Sequence, residues 1–230
     1  MSGNYVWILA ILASVLFGFL LAWAGSDGSM QIYGLPLFSI SVVFAFLIQW
    51  ICFVPSFLFQ TEKYFDLTGS LTYVSIIIFA LVMSDDLGAR KLTIGIFVLL
   101  WAFRLGTFLF SRIRSAGEDS RFKVIKTNFF QFLMTWSLQG LWVCVTCGAA
   151  LAAITSDKQN SLGVFFFVGS AFWLVGFFVE VLADHQKSEF NRELENSGKF
   201  VHTGLWAWSR HPNYFGEIML WSGLAVVALP

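Results

Sequence analysis

Charge is what this sequence has least of. Lysine, arginine, aspartate and glutamate together make up 12% of 230 residues, and the 14 basic and 14 acidic side chains cancel. A zero balance excludes the strongly basic surface of a nucleic-acid binder and implies no acidic soluble partner. Histidine and cysteine each occur three times. His185, His202 and His211 are too few and too scattered for the multi-histidine clusters of membrane hydroxylases, and no metal is expected. Cys144 and Cys147 form a "CVTC" pair inside an apolar run with no neighbouring cation to favour a thiolate, so packing rather than redox chemistry is expected there. Cys52 reads as a small lipid- or helix-facing residue. There is no GxGxxG after a strand and no P-loop pattern, so neither nucleotide fingerprint is present. Met1–Trp7 carries no lysine or arginine; without that charged front the first apolar segment is read as a span, not as a signal peptide.

What the sequence has instead is apolar length. Hydrophobic residues make up 57%, phenylalanine alone accounts for 27 positions, and the mean hydropathy is +0.74. A helix needs roughly 20 mainly apolar residues to cross a bilayer. Spans are expected near Tyr5–Trp23, Leu35–Phe59, Leu67–Met83, Leu92–Phe110, Phe129–Ile154 and Leu162–Ala183. A seventh starts near Pro212 or Gly216 and reaches only Pro230, about 15–18 residues against that requirement, so the chain reads as cut short. The expected fold is an all-α, multi-pass transmembrane helical bundle in a single domain, 1–230, with six full spans, an incomplete seventh and a cytoplasmic N-terminus. The orientation follows from charge. Lys63, Arg112, Arg114, Arg121, Lys123, Lys126, Lys187, Arg192, Lys199 and Arg210 fall in loops on one side, against Arg90, Lys91 and Lys158 opposite, and the basic side faces the cytoplasm.

The remaining polar residues cluster. Glu180, Asp184, Lys187 and Asn191 share one face of a helix that continues the sixth span; Glu180 is close to membrane depth, where ionisable groups mark functional cavities. A solvated helix end is the alternative. In "WSRHPNYFGEIMLW", Pro212 suits the first turn of a helix and restricts His211 to extended backbone. The free N–H groups of that turn, with Asn213, Arg210 and His211, would suit an anion, and Glu217 follows one turn deeper. The alternative is a basic anchor within an aromatic belt of Trp206, Trp208 and Trp221. Arg104 and Arg112 share a face of the fourth span, where Arg104 either snorkels or pairs with Glu180 or Asp66. Glu62, Tyr64 and Asp66 in "FQTEKYFDLTGS" are candidate acid–base groups, or members of a plain polar turn.

The run "GLWAWSRHPNYFGE", Gly204–Glu217, preceded by "EVLADHQKSEF", Glu180–Phe190, resembles the C-terminal catalytic region of the steroid 5-alpha-reductase-like membrane family, as a bacterial-type member. The wider superfamily takes in sterol reductases and isoprenylcysteine carboxyl methyltransferases. The resemblance covers residues 101–230, including "RLGTFLFSRI" and "GEDSRF", and residues 1–100 only loosely. It implies a helical bundle that holds NADPH from the cytoplasmic side while a lipophilic, steroid-like or isoprenoid substrate enters through the membrane. Asn213 and Asp184 match the family's cofactor-contacting asparagine and aspartate. Glu180 falls where some members have asparagine, Lys199 where some have arginine, and Arg104 and Arg112 in a region of cofactor-facing arginines. Tyr214 and Glu217 complete the motif, with Lys187, Arg210 and His211 in the same expected set.

By the resemblance the reaction is hydride transfer from NADPH to a carbon–carbon double bond, with Glu62, Tyr64 and Asp66 as the candidate catalytic residues. Two departures stand beside it. The family tyrosine's place in the fourth span is occupied by Trp101, and Glu62 matches the carbonyl-polarising glutamate by location alone. Members also continue into a completed last helix and a tyrosine- and basic-rich tail. The alternatives are an S-adenosylmethionine-dependent membrane methyltransferase, which shares an "RHP…Y…E"-like element, and a non-catalytic lipid-binding membrane protein. The expected location is a bacterial inner membrane with the cofactor site facing the cytoplasm.

Overall fold

In lipid a helix satisfies its own backbone, so long apolar runs become helices and their polar interruptions become ends and turns. The computed structural model describes residues 4–116, 119–158, 161–196 and 198–230, which form two compact units, Met1–Gln159 and Asn160–Pro230. The first holds α1 (Asn4–Ala24), a small hairpin of β1 (Gln31–Ile32) and β2 (Leu35–Pro36), α2 (Leu37–Leu58), α3 (Phe65–Val82), α4 (Ala89–Ala116), the short α5 (Phe122–Ile125) and α6 (Phe129–Thr155). The second holds α7 (Val164–Arg192) and α8 (Pro212–Ala228). Six helices, α1, α2, α3, α4, α6 and α7, are long and apolar enough to cross a membrane, and this is a multi-pass integral membrane protein. α8 is shorter, at 17 residues.

The ends differ from the expected spans for local reasons. The second span starts at Leu37, not Leu35, because Leu35 and Pro36 pair with Ile32 and Gln31. Tyr33 and Gly34 between them both have positive φ, 51° and 80°, the two-residue turn whose twist suits a hairpin. Pro36 then opens the helix in extended conformation. At α6, Asn128 accepts a hydrogen bond at its side chain from Gln131 N at 3.0 Å, an N-cap that starts the helix where the apolar run begins. α4 and α7 run past their apolar parts, to Ala116 and Arg192.

In the first unit, Phe53, Phe122, Phe132 and Trp136 form a buried aromatic cluster near the end that carries the 59–64 and 119–128 loops. Phe122 anchors α5, and with it Lys126 at the α5 C-cap, to that cluster. At the opposite end, Ser84 Oγ donates to Ile154 O and Lys91 Nζ donates to Ser156 O, at 2.9 and 2.7 Å. Cys144 and Cys147 are fully buried in α6 and Cys52 is half-buried.

In the second unit α7 and α8 pack as an antiparallel pair through four glycines spaced seven apart, Gly169 and Gly176 on α7 and Gly216 and Gly223 on α8. A Cβ on Gly176 would sit 2.5 Å from Leu220 N, and one on Gly216 would sit 2.6 Å from Glu180 N. Small residues at this period let two backbones touch, which is how helices associate where lipid removes the hydrophobic drive between them.

Candidate functional site

That close approach places the polar residues. Where α8 begins, Pro212 occupies the first turn and His211 is extended at φ −143°. Gly216 then brings α8 against the Glu180 backbone, and Asn213, one turn earlier, faces Asp184. Asn213 Nδ2 donates to Asp184 Oδ1 at 3.3 Å. A carboxylate only accepts, so this neighbour decides which way the amide is turned. Asn213 Oδ1 is left buried without a partner among the described residues. Glu180 and Asp184 are 3% and 8% exposed, one helical turn apart on the same face of α7. Two carboxylates and an amide carbonyl thus lie together where α8 begins against α7.

The loop between the helices is tied down around them. Trp206 Nε1 donates to Ala183 O at 3.0 Å, and Leu205 N donates to Gln186 Oε1 at 2.9 Å. Gly204 takes φ +60° where a Cβ would strike the Gln186 amide at 2.5 Å. Lys187 Nζ lies 5.2 Å from the centre of the Trp206 ring. Lys187, Lys199, Arg210 and His211 are exposed, and the His211 ring stacks on Tyr214 at 5.3 Å. Glu217 is half-buried one turn beyond Asn213. The anion-binding reading of this motif thus divides. Asn213 uses its N–H2 on Asp184 and keeps a buried carbonyl without a partner among the described residues, while Lys187, Lys199 and Arg210 are exposed cations.

The other expected residues lie in the first unit. Glu62 is 3% exposed; Lys126 Nζ donates to its Oε2 at 2.6 Å and Asp119 N to its Oε1 at 3.1 Å. Burial pushes the Glu62 carboxyl up, but the hydrogen bonds from Lys126, from Asp119 N and from its own backbone, with the Lys126 charge, outweigh it and hold the group below its ordinary value. Asp119 is also held low, by the hydrogen bond from Arg121. Asp66, half-buried, pairs with the exposed Arg112 at 3.7 Å; Tyr64 is exposed and Arg104 half-buried on α4. Glu62 thus clamps the 59–64 loop to the 119–128 loop. Gly117 and Glu118 of "GEDSRF" lie outside the described residues. Among the described residues no group of three or more His, Cys, Asp or Glu is placed to hold a metal.

Two features escaped the sequence reading. The seven-residue glycine spacing was available in "VGSAFWLVG" and "FGEIMLWSG". Gln49 and Gln139, lone amides inside apolar runs, were available as polar residues at membrane depth.

Residues 52–230 match the family model described as "Protein of unknown function (DUF1295)". The chain belongs to this family. Beyond DUF1295 it is 33% identical to 3-oxo-5-alpha-steroid 4-dehydrogenase 1 of Bos taurus over 63 residues, 27% of this chain and 24% of that protein. The Homo sapiens protein of the same name is 32% identical over the same shares. An uncharacterized protein of Schizosaccharomyces pombe is 24% identical over 59% of this chain and 48% of its own length. The chain thus spans about a quarter of the length of the steroid dehydrogenases it matches. No solved structure matches it. This DUF1295 chain is therefore a membrane protein distantly related to a steroid-reductase-like family.

Proposed function

We propose that this DUF1295 chain is a membrane oxidoreductase that transfers a hydride from NADPH to a carbon–carbon double bond of a lipophilic, steroid-like or isoprenoid substrate. The observation that carries the reading is the Asn213–Asp184 hydrogen bond, which joins the two residues that the family resemblance assigns to the cofactor. The donor set fits the group. Carboxamide N–H2 and ribose hydroxyls are donors, suited to Asp184, Glu180 and the orphaned Asn213 Oδ1; phosphates suit Lys187, Lys199 and Arg210. NADPH, when bound, supplies the hydride. In this reading Asp184 and Asn213 orient the carboxamide or ribose, and the tied loop at Trp206 shields them from water. Arg104, Arg112, His211, Tyr214 and Glu217 belong to the proposed binding set. A proton for the adjacent carbon is proposed to come from Tyr64 or Asp66. Glu62, with both oxygens bonded and its carboxyl held low, serves as their loop's anchor.

The test is calorimetry on detergent-purified protein with NADPH, NADH and S-adenosylmethionine titrated separately. NADPH binding is expected, weakened about ten-fold by Asp184→Ala and by Asn213→Ala, the loss that follows from one charge-assisted hydrogen bond. If both variants bind NADPH as the parent does, the assignment of these residues is wrong. Binding of S-adenosylmethionine alone would move the motif to methyl transfer, and no binding of any of the three would favour a lipid-binding protein.

A further inference from the structure

Gln49 in "FLIQWIC" of α2 and Gln139 in "WSLQGLW" of α6 stand within the spans of the first unit, in runs that are otherwise almost wholly apolar. Gln49 has no exposed surface. Its Nε2 donates to Thr72 Oγ1 on α3 at 2.8 Å, and the Thr72 hydroxyl donates in turn to Thr68 O at 2.7 Å. That hydroxyl has one proton and it is committed, so Thr72 only accepts from Gln49. The amide orientation is thereby fixed by chemistry, and Gln49 Oε1 is left buried with no partner among the described residues.

The same seam holds two more such atoms. Gln139 lies over Gly69 of α3, where a Cβ would come within 2.7 Å of its Nε2, and its Oε1 is buried and unpartnered among the described residues. Its neighbour Gly140 faces Gln49, with a Cβ there falling 3.3 Å from Gln49 Cγ. One turn earlier on α6, Trp136 is fully buried edge-on to Phe65, and its Nε1 also lacks a partner among the described residues. Trp50, by contrast, donates from Nε1 to Ser137 Oγ at 3.1 Å. The α2, α3 and α6 seam thus offers two carbonyl acceptors and an N–H donor at a depth where bulk water does not reach.

We propose that this seam is a binding site for an O–H group, which donates its proton to Gln49 Oε1. The hydroxyl belongs either to an ordered water or to a lipophilic alcohol; a ketone, having no proton to give, does not satisfy Gln49. The site stands on the first unit alone and requires no nicotinamide cofactor, so it survives or fails independently of the reductase reading.

The test uses the full chain in lipid nanodiscs with two probes of one skeleton, cholesterol and cholest-4-en-3-one, measured by equilibrium binding. Hydroxyl-radical footprinting by radiolysis, which oxidises side chains beside bound water, is read in parallel at Trp136. A lipophilic alcohol as occupant predicts about ten-fold tighter binding of cholesterol than of the ketone, and the preference disappears in Gln49→Met. Water as occupant predicts no such preference, but oxidation of Trp136 well above that of the similarly buried Trp173, slowed in Gln49→Met. The proposal is overturned if cholesterol has no advantage and Trp136 is oxidised no faster than Trp173. It is equally overturned if either signal persists unchanged in the variant. Should Gln49→Met fail to give monodisperse protein, Gln49→Leu, which also removes the acceptor, carries the same comparison.

Discussion

Glu62 and Glu180 are equally buried, at 3% exposure, yet they stand in different surroundings. Glu62 has a cation and a backbone N–H on its two oxygens in a loop between helices, and Glu180 lies within α7, one turn from Asp184. Lys126→Met removes the cation from a nearly dry carboxylate and is expected to destabilise the protein by about 3 kcal/mol, the usual result of breaking a buried pair from one side. Unfolding in mixed micelles measures it. The same pair gives a pH dependence. The folded Glu62 carboxyl is held low, so its stabilisation is complete above the ordinary carboxylate value of about 4.3 and is lost as pH falls through the folded value. Parent stability should decline below that point while Lys126→Met changes less; parallel acid profiles would remove the pair from the account. The sequence marked Glu62 as a candidate, because a carboxylate beside a span invites chemistry. It did not reveal Lys126, which lies 64 residues away and reaches Glu62 only once Phe122 anchors α5.

Among the elements, α7 and α8 have the most exacting contact. Alanine in place of glycine favours a helix by up to about 1 kcal/mol, but at Gly176 and Gly216 the added carbon meets backbone at 2.5 and 2.6 Å, and backbone in a packed pair has nowhere to move. Overpacking, at about 1–3 kcal/mol, should prevail: Gly176→Ala and Gly216→Ala are expected to destabilise. On the proposed function, Gly216→Ala should also weaken NADPH binding, because it moves Asn213 relative to Asp184. Gly148 of α6 is the converse case, its nearest neighbour being Leu21 at 3.9 Å. Gly148→Ala should therefore be neutral or stabilising, and unfolding midpoints of the three variants decide it. Helix positions were legible because apolar runs in lipid allow little else. Their ends were less so, since a two-residue hairpin moved one start to Leu37, although the polar continuation of α7 through Asn191 was legible in its spacing.

For the molecule as a whole, the basic residues predict an orientation. With a cysteine-free background, Lys158→Cys should react with a membrane-impermeant maleimide from outside sealed right-side-out vesicles, and Lys63→Cys only after permeabilisation. The reverse pattern would invert the topology. The amino-acid sequence by itself determined that the chain lives in a membrane and how many long helices it has, and it carries a distant relationship to steroid-reductase-like proteins. Those properties depend on composition, apolar length and local spacing, which are present in the unfolded chain. The tertiary structure alone decided what the polar residues are to one another. It joined Asn213 to Asp184, left the Asn213 carbonyl buried without a partner among the described residues and paired Glu62 with Lys126. It also left Gln49 with an unmet acceptor inside the bundle. Hydrogen bonds act over about 3 Å, so partners distant in sequence acquire their chemistry only when packing brings them together.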